Sequence, residues 1–140
     1  MKTLIATALS ALITATAAPA LAGGVTINLN NVQARPGQLL VALQTEGQCA
    51  SGAFGERVDN PAAGTTTVVF HDVPPGDYAV FALHDEDGNG EMTMRGQMPA
   101  EGWSTYHADQ LRGAPTFAQV KFTVPASGPV NLTLPMVYFF

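Results

Sequence analysis

The residues best suited to chemistry lie in one run, Asp85-Glu86-Asp87-Gly88-Asn89-Gly90. It matches D-x-[DN]-x-[DN]-G, the first half of a calcium loop, in which alternate oxygen-bearing side chains converge on one hard cation. Asp85, Asp87 and Asn89 would supply side-chain oxygens, Glu91 a backbone carbonyl, and Gly90 the sharp turn. An EF-hand also needs a bidentate Glu at the twelfth position of the loop. Gly96 stands there, and the preceding segment reads as a strand rather than a helix, so this is not an EF-hand. A loop of this kind on a β-scaffold can borrow a distant ligand, and Glu101 and Asp109 are available. The competing reading is an acidic turn whose Asp and Asn side chains bond their own backbone.

A second set is softer. Met92, Met94 and Met98, with His84 and His107 nearby and Trp103 as a cover, have the ligand types that suit Cu(I). Methionine also fills irregular gaps beneath long loops. Catalytic patterns are poor. Gly102-Trp103-Ser104-Thr105-Tyr106 lacks the final Gly of a nucleophile elbow, and His107 near Ser104 in sequence does not make a triad.

These residues must be held by strands. Val25, Ile27 and Leu29 alternate with polar neighbours, as do Leu39, Val41 and Leu43. Strands are predicted at 67–70 and 78–83, then through Ala118, Val120, Phe122 and Val124, and through Val130, Leu132 and Leu134. No long stretch has a helical period. Short strands separated by Pro/Gly-rich turns predict an all-β fold, a single antiparallel sandwich. Val73-Pro74-Pro75-Gly76-Asp77 predicts a turn with positive φ at Gly76, and Tyr78 after it predicts a buried ring with an anchored hydroxyl. Residues 46–64 read as a loop. Residues 84–116 form a long irregular excursion that holds the only Trp, two of three His and three of five Met. A connection of that length inside a compact domain is usually functional or disordered, and so specific a composition predicts an ordered one.

The amino terminus reads as an export signal. Lys2 gives a positive start, residues 4–18 are mostly apolar, and Ala20-Leu21-Ala22 is an A-x-A cleavage site. The run is too short and small-sided for a membrane span of about 20 residues. The expected organisation is a signal peptide at 1–22 and a β-sandwich domain at 23–140, periplasmic or secreted, with no transmembrane segment in the mature chain. Beyond residue 22 lie five bases and all eleven acids, a formal charge of −6. With no Lys/Arg cluster, that excludes nucleic acid as a partner class and leaves a cation, a small ligand or another envelope protein. Cys49 is the only cysteine, so no internal disulfide can form.

Phe70-His71-Asp72-Val73-Pro74-Pro75-Gly76-Asp77-Tyr78-Ala79-Val80 followed by His84-Asp85-Glu86-Asp87-Gly88-Asn89-Gly90 resembles the core of the bacterial domain-of-unknown-function family numbered 2141. Gly96-Gln97-Met98-Pro99-Ala100-Glu101-Gly102-Trp103-Ser104 is similar to that family's G-x-P-x-E-G-x-S pattern, and Ala114-Pro115-Thr116-Phe117 to its later P-x-F element. The resemblance implies an exported prealbumin-like or immunoglobulin-like sandwich with no established activity. The family tends to carry an acid in the pattern N-G-x-x-D, where this chain has Thr93. The expectation is a non-enzymatic envelope binding or accessory module with its site in residues 84–116. The alternative is a periplasmic metal-binding protein that takes Ca²⁺ at Asp85, Asp87, Asn89, Glu91 and Glu101, or copper at Met92, Met94 and Met98.

Overall fold

The computed structural model describes residues 23–47 and 54–140. The expected leader and cleavage site at 1–22, and Cys49, lie outside the described residues. Alternation builds the core as expected. In β1 (Gly23–Val32) every second side chain is buried from Val25 to Leu29, the phase slipping where the register with β4 shifts before Val32; in β2 (Gln38–Gln44) the alternation is unbroken. Val25, Ile27, Leu29, Leu39 and Leu43 have no exposed surface. β4 (Gly64–Val73) adds Val68 and Phe70, and β5 (Gly76–Asp85) adds Tyr78, Val80 and Ala82. β9 (Lys121–Val124) and β10 (Val130–Pro135) contribute Phe122, Val124 and Leu134 to the same cluster. Their apolar side chains pack one sheet against the other, which makes a β-sandwich.

The first sheet has the order β10-β1-β4. The second contains β3 (Phe54–Asp59), β2, β5 and β8 (Gly102–Thr105) in that order. β5 is its centre. β2 covers one edge; on the other, β9 pairs at Gly76–Ala79 and β8 at Phe81–His84. A small hairpin of β6 (Met94–Arg95) and β7 (Met98–Pro99) stands apart.

Four details differ from the sequence expectation. The β1–β10 ladder is parallel, Val25 opposite Val130 and Leu29 opposite Leu134, while the other ladders are antiparallel. Alternation reports which face a residue occupies and carries no strand direction. Within the expected loop 46–64 lies β3, whose Gly55-Glu56-Arg57 is weakly strand-forming and is held by backbone pairing with β2, Val58 opposite Leu39. The excursion, expected to be irregular, contains β6, β7 and β8. Finally, the strand expected from Ala118 starts only at Lys121. Phe117–Val120 is one helical turn, α1, because the Gln119 side chain accepts the Thr116 backbone N–H at 2.9 Å.

The turn between β4 and β5 matches its reading. Gly76 takes a φ of 150°, and buried Tyr78 donates its hydroxyl to the Pro74 carbonyl at 2.9 Å.

Candidate functional site

β5 delivers both parts of the site. Its alternation sends Tyr78, Val80, Ala82 and His84 into the sandwich, and leaves Phe81 and Leu83 on the outer face, half-buried. Asp85, the last residue of β5, has no exposed surface. Its Oδ1 accepts the backbone N–H groups of Gly88 at 2.9 Å and Asn89 at 3.2 Å. Its Oδ2 accepts Gly90 N–H at 2.9 Å and the Gln38 side-chain amide at 2.8 Å. Burial alone would raise the pKa of Asp85. The bonds from Gln38 and Gly90, with contributions from Asp87 and Gly88, outweigh it and hold the carboxyl below its ordinary value. Gly90 takes a φ of 76°, the sharp turn the motif requires.

Glu101 reaches this loop from the residue before β8. It is 4% exposed. Oε1 accepts Glu86 N–H at 2.9 Å and Oε2 accepts Thr93 N–H at 3.0 Å. Carboxylate oxygens of Asp85, Asp87 and Glu101 lie within 4.8 Å of one another. Three of the five candidate ligands are therefore brought together. Asn89 sits beside them but is otherwise engaged: its Oδ1 accepts Glu91 N–H at 2.8 Å, and its amide faces Asp87 and Thr93. Glu91 is exposed, and its side chain is not part of the cluster. Thr93 donates its hydroxyl to Asp87 Oδ2 at 3.0 Å. The charge of this corner is partly balanced by Arg35, paired with Glu86 at 3.2 Å and lying 4.7 Å over the Tyr138 ring.

Beyond the loop, the excursion encloses a cleft of about 650 Å³, lined mainly by Met92, Met94, Met98, Trp103, Leu111 and Phe139. Backbone bonds in both directions between Trp103 and Val137 fix the carboxyl-terminal segment along β8, and the rings of Phe139 and Trp103 lie 6.5 Å apart. Arg95 lies 4.3 Å over the Phe140 ring. Sequence reasoning missed Phe139 as a wall of the site, because strand pairing alone brings it there. The signals that were readable, the lone Trp and the clustered methionines, do mark the cleft.

The other chemistry-bearing residues go elsewhere. His84 is fully buried on the opposite face of β5 from Phe81, its Nδ1 2.9 Å from the Tyr138 hydroxyl. His107 sits against Tyr106, ring centroids 3.8 Å apart. Neither lines the cleft. In the hairpin, Met94 faces Pro99 and Met98 faces Arg95, so the two methionines start from opposite faces although both border the cleft. The hydroxyl of buried Ser104 donates to the Pro135 carbonyl at 2.7 Å, so it is committed to packing rather than to His107. Among the described residues, His84 Nε2 and Trp103 Nε1 are the buried side-chain polar atoms without a partner.

The family described as "Uncharacterized protein conserved in bacteria (DUF2141)" matches residues 27–133. The chain belongs to that family. The match spans β1 to β10 and so covers both the acidic loop and the cleft. No curated protein and no solved structure matches. Among the described residues, no helix is long and apolar enough to cross a membrane.

Proposed function

We propose that this DUF2141 protein is a non-enzymatic binding module of the bacterial envelope, periplasmic or secreted, whose site is the cleft of residues 92–115. The cleft carries the reading. Its volume, about 650 Å³, falls within the ~300–1,000 Å³ of ordinary small-molecule sites, and its wall is thioether, aromatic and aliphatic with few polar groups. Met94 and Met98 are 51% and 44% exposed, which is costly in water and suited to an adaptable apolar surface. The acidic loop then has a structural part: its carboxylates gather backbone N–H groups and hold the excursion in place. The export-type residues 1–22 support the location.

The test is a neutral fluorescent apolar dye. It should bind wild type saturably, and the double variant Met94→Glu/Met98→Glu, altered only at exposed positions, should lose binding while keeping its melting temperature. A double variant that binds as tightly as wild type would remove the cleft from consideration.

A second reading is favoured by one observation, the convergence of Glu101 on Asp85 and Asp87. Three carboxylates within 4.8 Å suit a hard cation, and Ca²⁺ tolerates irregular oxygen sets. Calcium in the millimolar range should then raise the melting temperature, Glu101→Gln should abolish the rise, and Thr93→Asp should strengthen it. No shift in wild type or in Thr93→Asp would leave the loop as a hydrogen-bonded scaffold.

A further inference from the structure

The two sheets of this sandwich treat their outer faces differently. On the first sheet the outer face is mostly polar: Thr26, Asn28, Thr67, Asn131 and Thr133 surround one exposed Val69, with Asn28 bonded to both Asn131 and Thr67. That is the ordinary pattern for a sheet with one wet face. On the second sheet the outer face is polar beside β9, where Lys121 and Thr123 bond Asp77, but apolar across β2, β5 and β8. Strand register lays Leu40 of β2 opposite Leu83 of β5, and Leu83 opposite Trp103 of β8. Ala42 and Phe81 form the next pair. These residues floor a second cavity of about 490 Å³, and Phe81, Met92 and Trp103 border both this cavity and the 92–115 cleft. The row begins on β3, where Arg57 lies opposite Leu40. Four strands spaced about 4.8 Å apart place Arg57 and Trp103 roughly 14 Å from each other. Sharing Phe81, Met92 and Trp103, the two cavities adjoin as one largely apolar groove that crosses the strands and leads into the cleft.

The polar groups of the groove lie towards its ends. At the β3 end the exposed Glu56 and Arg57 line the opening with Gln44 of β2, and Arg57 is already paired with Asp59 at 3.1 Å. At the cleft end, exposed Asp109 and Arg112 line the rim, and neither has a hydrogen bond or ion pair among the described residues. A free acid and a free base at one rim complement a head that carries both charges. A simple carboxylate would meet Arg112 and be repelled by Asp109 and by the net negative chain.

We infer that the ligand is a single-chain zwitterionic amphiphile. Its head lies between Asp109 and Arg112, and its chain runs past Trp103 and across Leu83 and Leu40. This rests on the cleft being a binding site, and it adds the second cavity, the shape of the ligand and the charge of its head.

The experiment compares a short-chain and a long-chain alkylphosphocholine, both below their micelle-forming concentrations, by calorimetry. Each methylene newly buried is worth roughly fourfold in affinity. The long chain should therefore bind more tightly by well over tenfold. Ala42→Phe, which fills the second cavity from the outer face, should erase that advantage and leave the short-chain affinity unchanged. Leu40→Gln, which adds no bulk, should reduce it in the same direction. Arg112→Gln should weaken both phosphocholines and leave an alkyl maltoside, whose head is uncharged, unaffected. Equal affinity for both chain lengths, unaltered by Ala42→Phe, would overturn the extended groove while the cleft stands. A wild type that binds neither amphiphile nor the apolar dye would take down the binding reading itself.

Discussion

The carboxylate of Glu101 accepts the backbone N–H of Thr93 at 3.0 Å, and this bond ties the start of β8 back to the acidic loop. The other oxygen of Glu101 takes Glu86 N–H, so one buried side chain clamps both sides of the loop. Replacing it by Gln keeps the shape but turns one acceptor into a donor facing a backbone N–H. Leaving a buried donor unpaired costs about 1–3 kcal/mol. Glu101→Gln should therefore lower the melting temperature by several degrees. Hydrogen exchange should quicken first at Glu86 and Thr93. Unchanged protection at both amides would show that the clamp is dispensable.

Asp85 links stability to pH. Its carboxyl is held below its ordinary value, so the folded state binds its proton less readily than the unfolded chain does. The sign follows: the contribution is fully present above the unfolded pKa of about 3.9 and is lost as pH falls through the lower folded value. Acid unfolding of wild type should therefore steepen below about pH 4. Asp85→Asn should be less stable at neutral pH by about 1–3 kcal/mol, because Oδ2 no longer accepts Gly90 and Gln38. Its acid limb should be shallower. Parallel limbs for the two proteins would place the acid dependence elsewhere.

The loop also depends on a close approach from the β1–β2 turn. Gly37 takes a φ of 103°, and a Cβ there would stand 2.1 Å from the Asp85 carbonyl oxygen. Backbone cannot yield as a flexible side chain can. Gly37→Ala should destabilise by more than the ~1–3 kcal/mol of strained φ alone, measured by denaturant unfolding. A neutral substitution would mean the turn can separate from β5.

Tyr78→Phe tests the anchor of the β4–β5 turn. The ring is buried and its hydroxyl donates to Pro74. Loss of that bond should cost about 0.5–1.5 kcal/mol with no change in fold. Gly76→Ala, at a φ of 150°, should also destabilise, where a compatible site would gain.

Much of this architecture could be read in the sequence because it rests on burial. Val25, Ile27 and Leu29, or Leu39, Val41 and Leu43, announce a strand and its inner face by alternation alone. Glu101 and Asp109 both read as distant acids that the loop could borrow, and the fold brings Glu101, not Asp109, to Asp85. What escaped reading rests on backbone pairing, which leaves little trace in side-chain type. β3 has a Gly, a Glu and an Arg where a strand would carry branched residues, and the chain after Leu134 gives no sign that Val137 will pair with Trp103. The apolar outer face was present in Leu40, Phe81 and Leu83. It read there as ordinary strand composition, because only register shows these residues side by side.

In the function proposed above, the 92–115 cleft receives the apolar part of its ligand against Trp103. This tryptophan is the only one in the chain, so its emission reports the site without labels. The most direct measurement is energy transfer from Trp103 to the neutral apolar dye during a titration. The cleft reading requires one-to-one binding with Trp103 emission quenched in step with dye fluorescence. Competition by the long-chain phosphocholine should restore the emission. Dye that binds while Trp103 emission stays constant, or a titration with no binding, would contradict it.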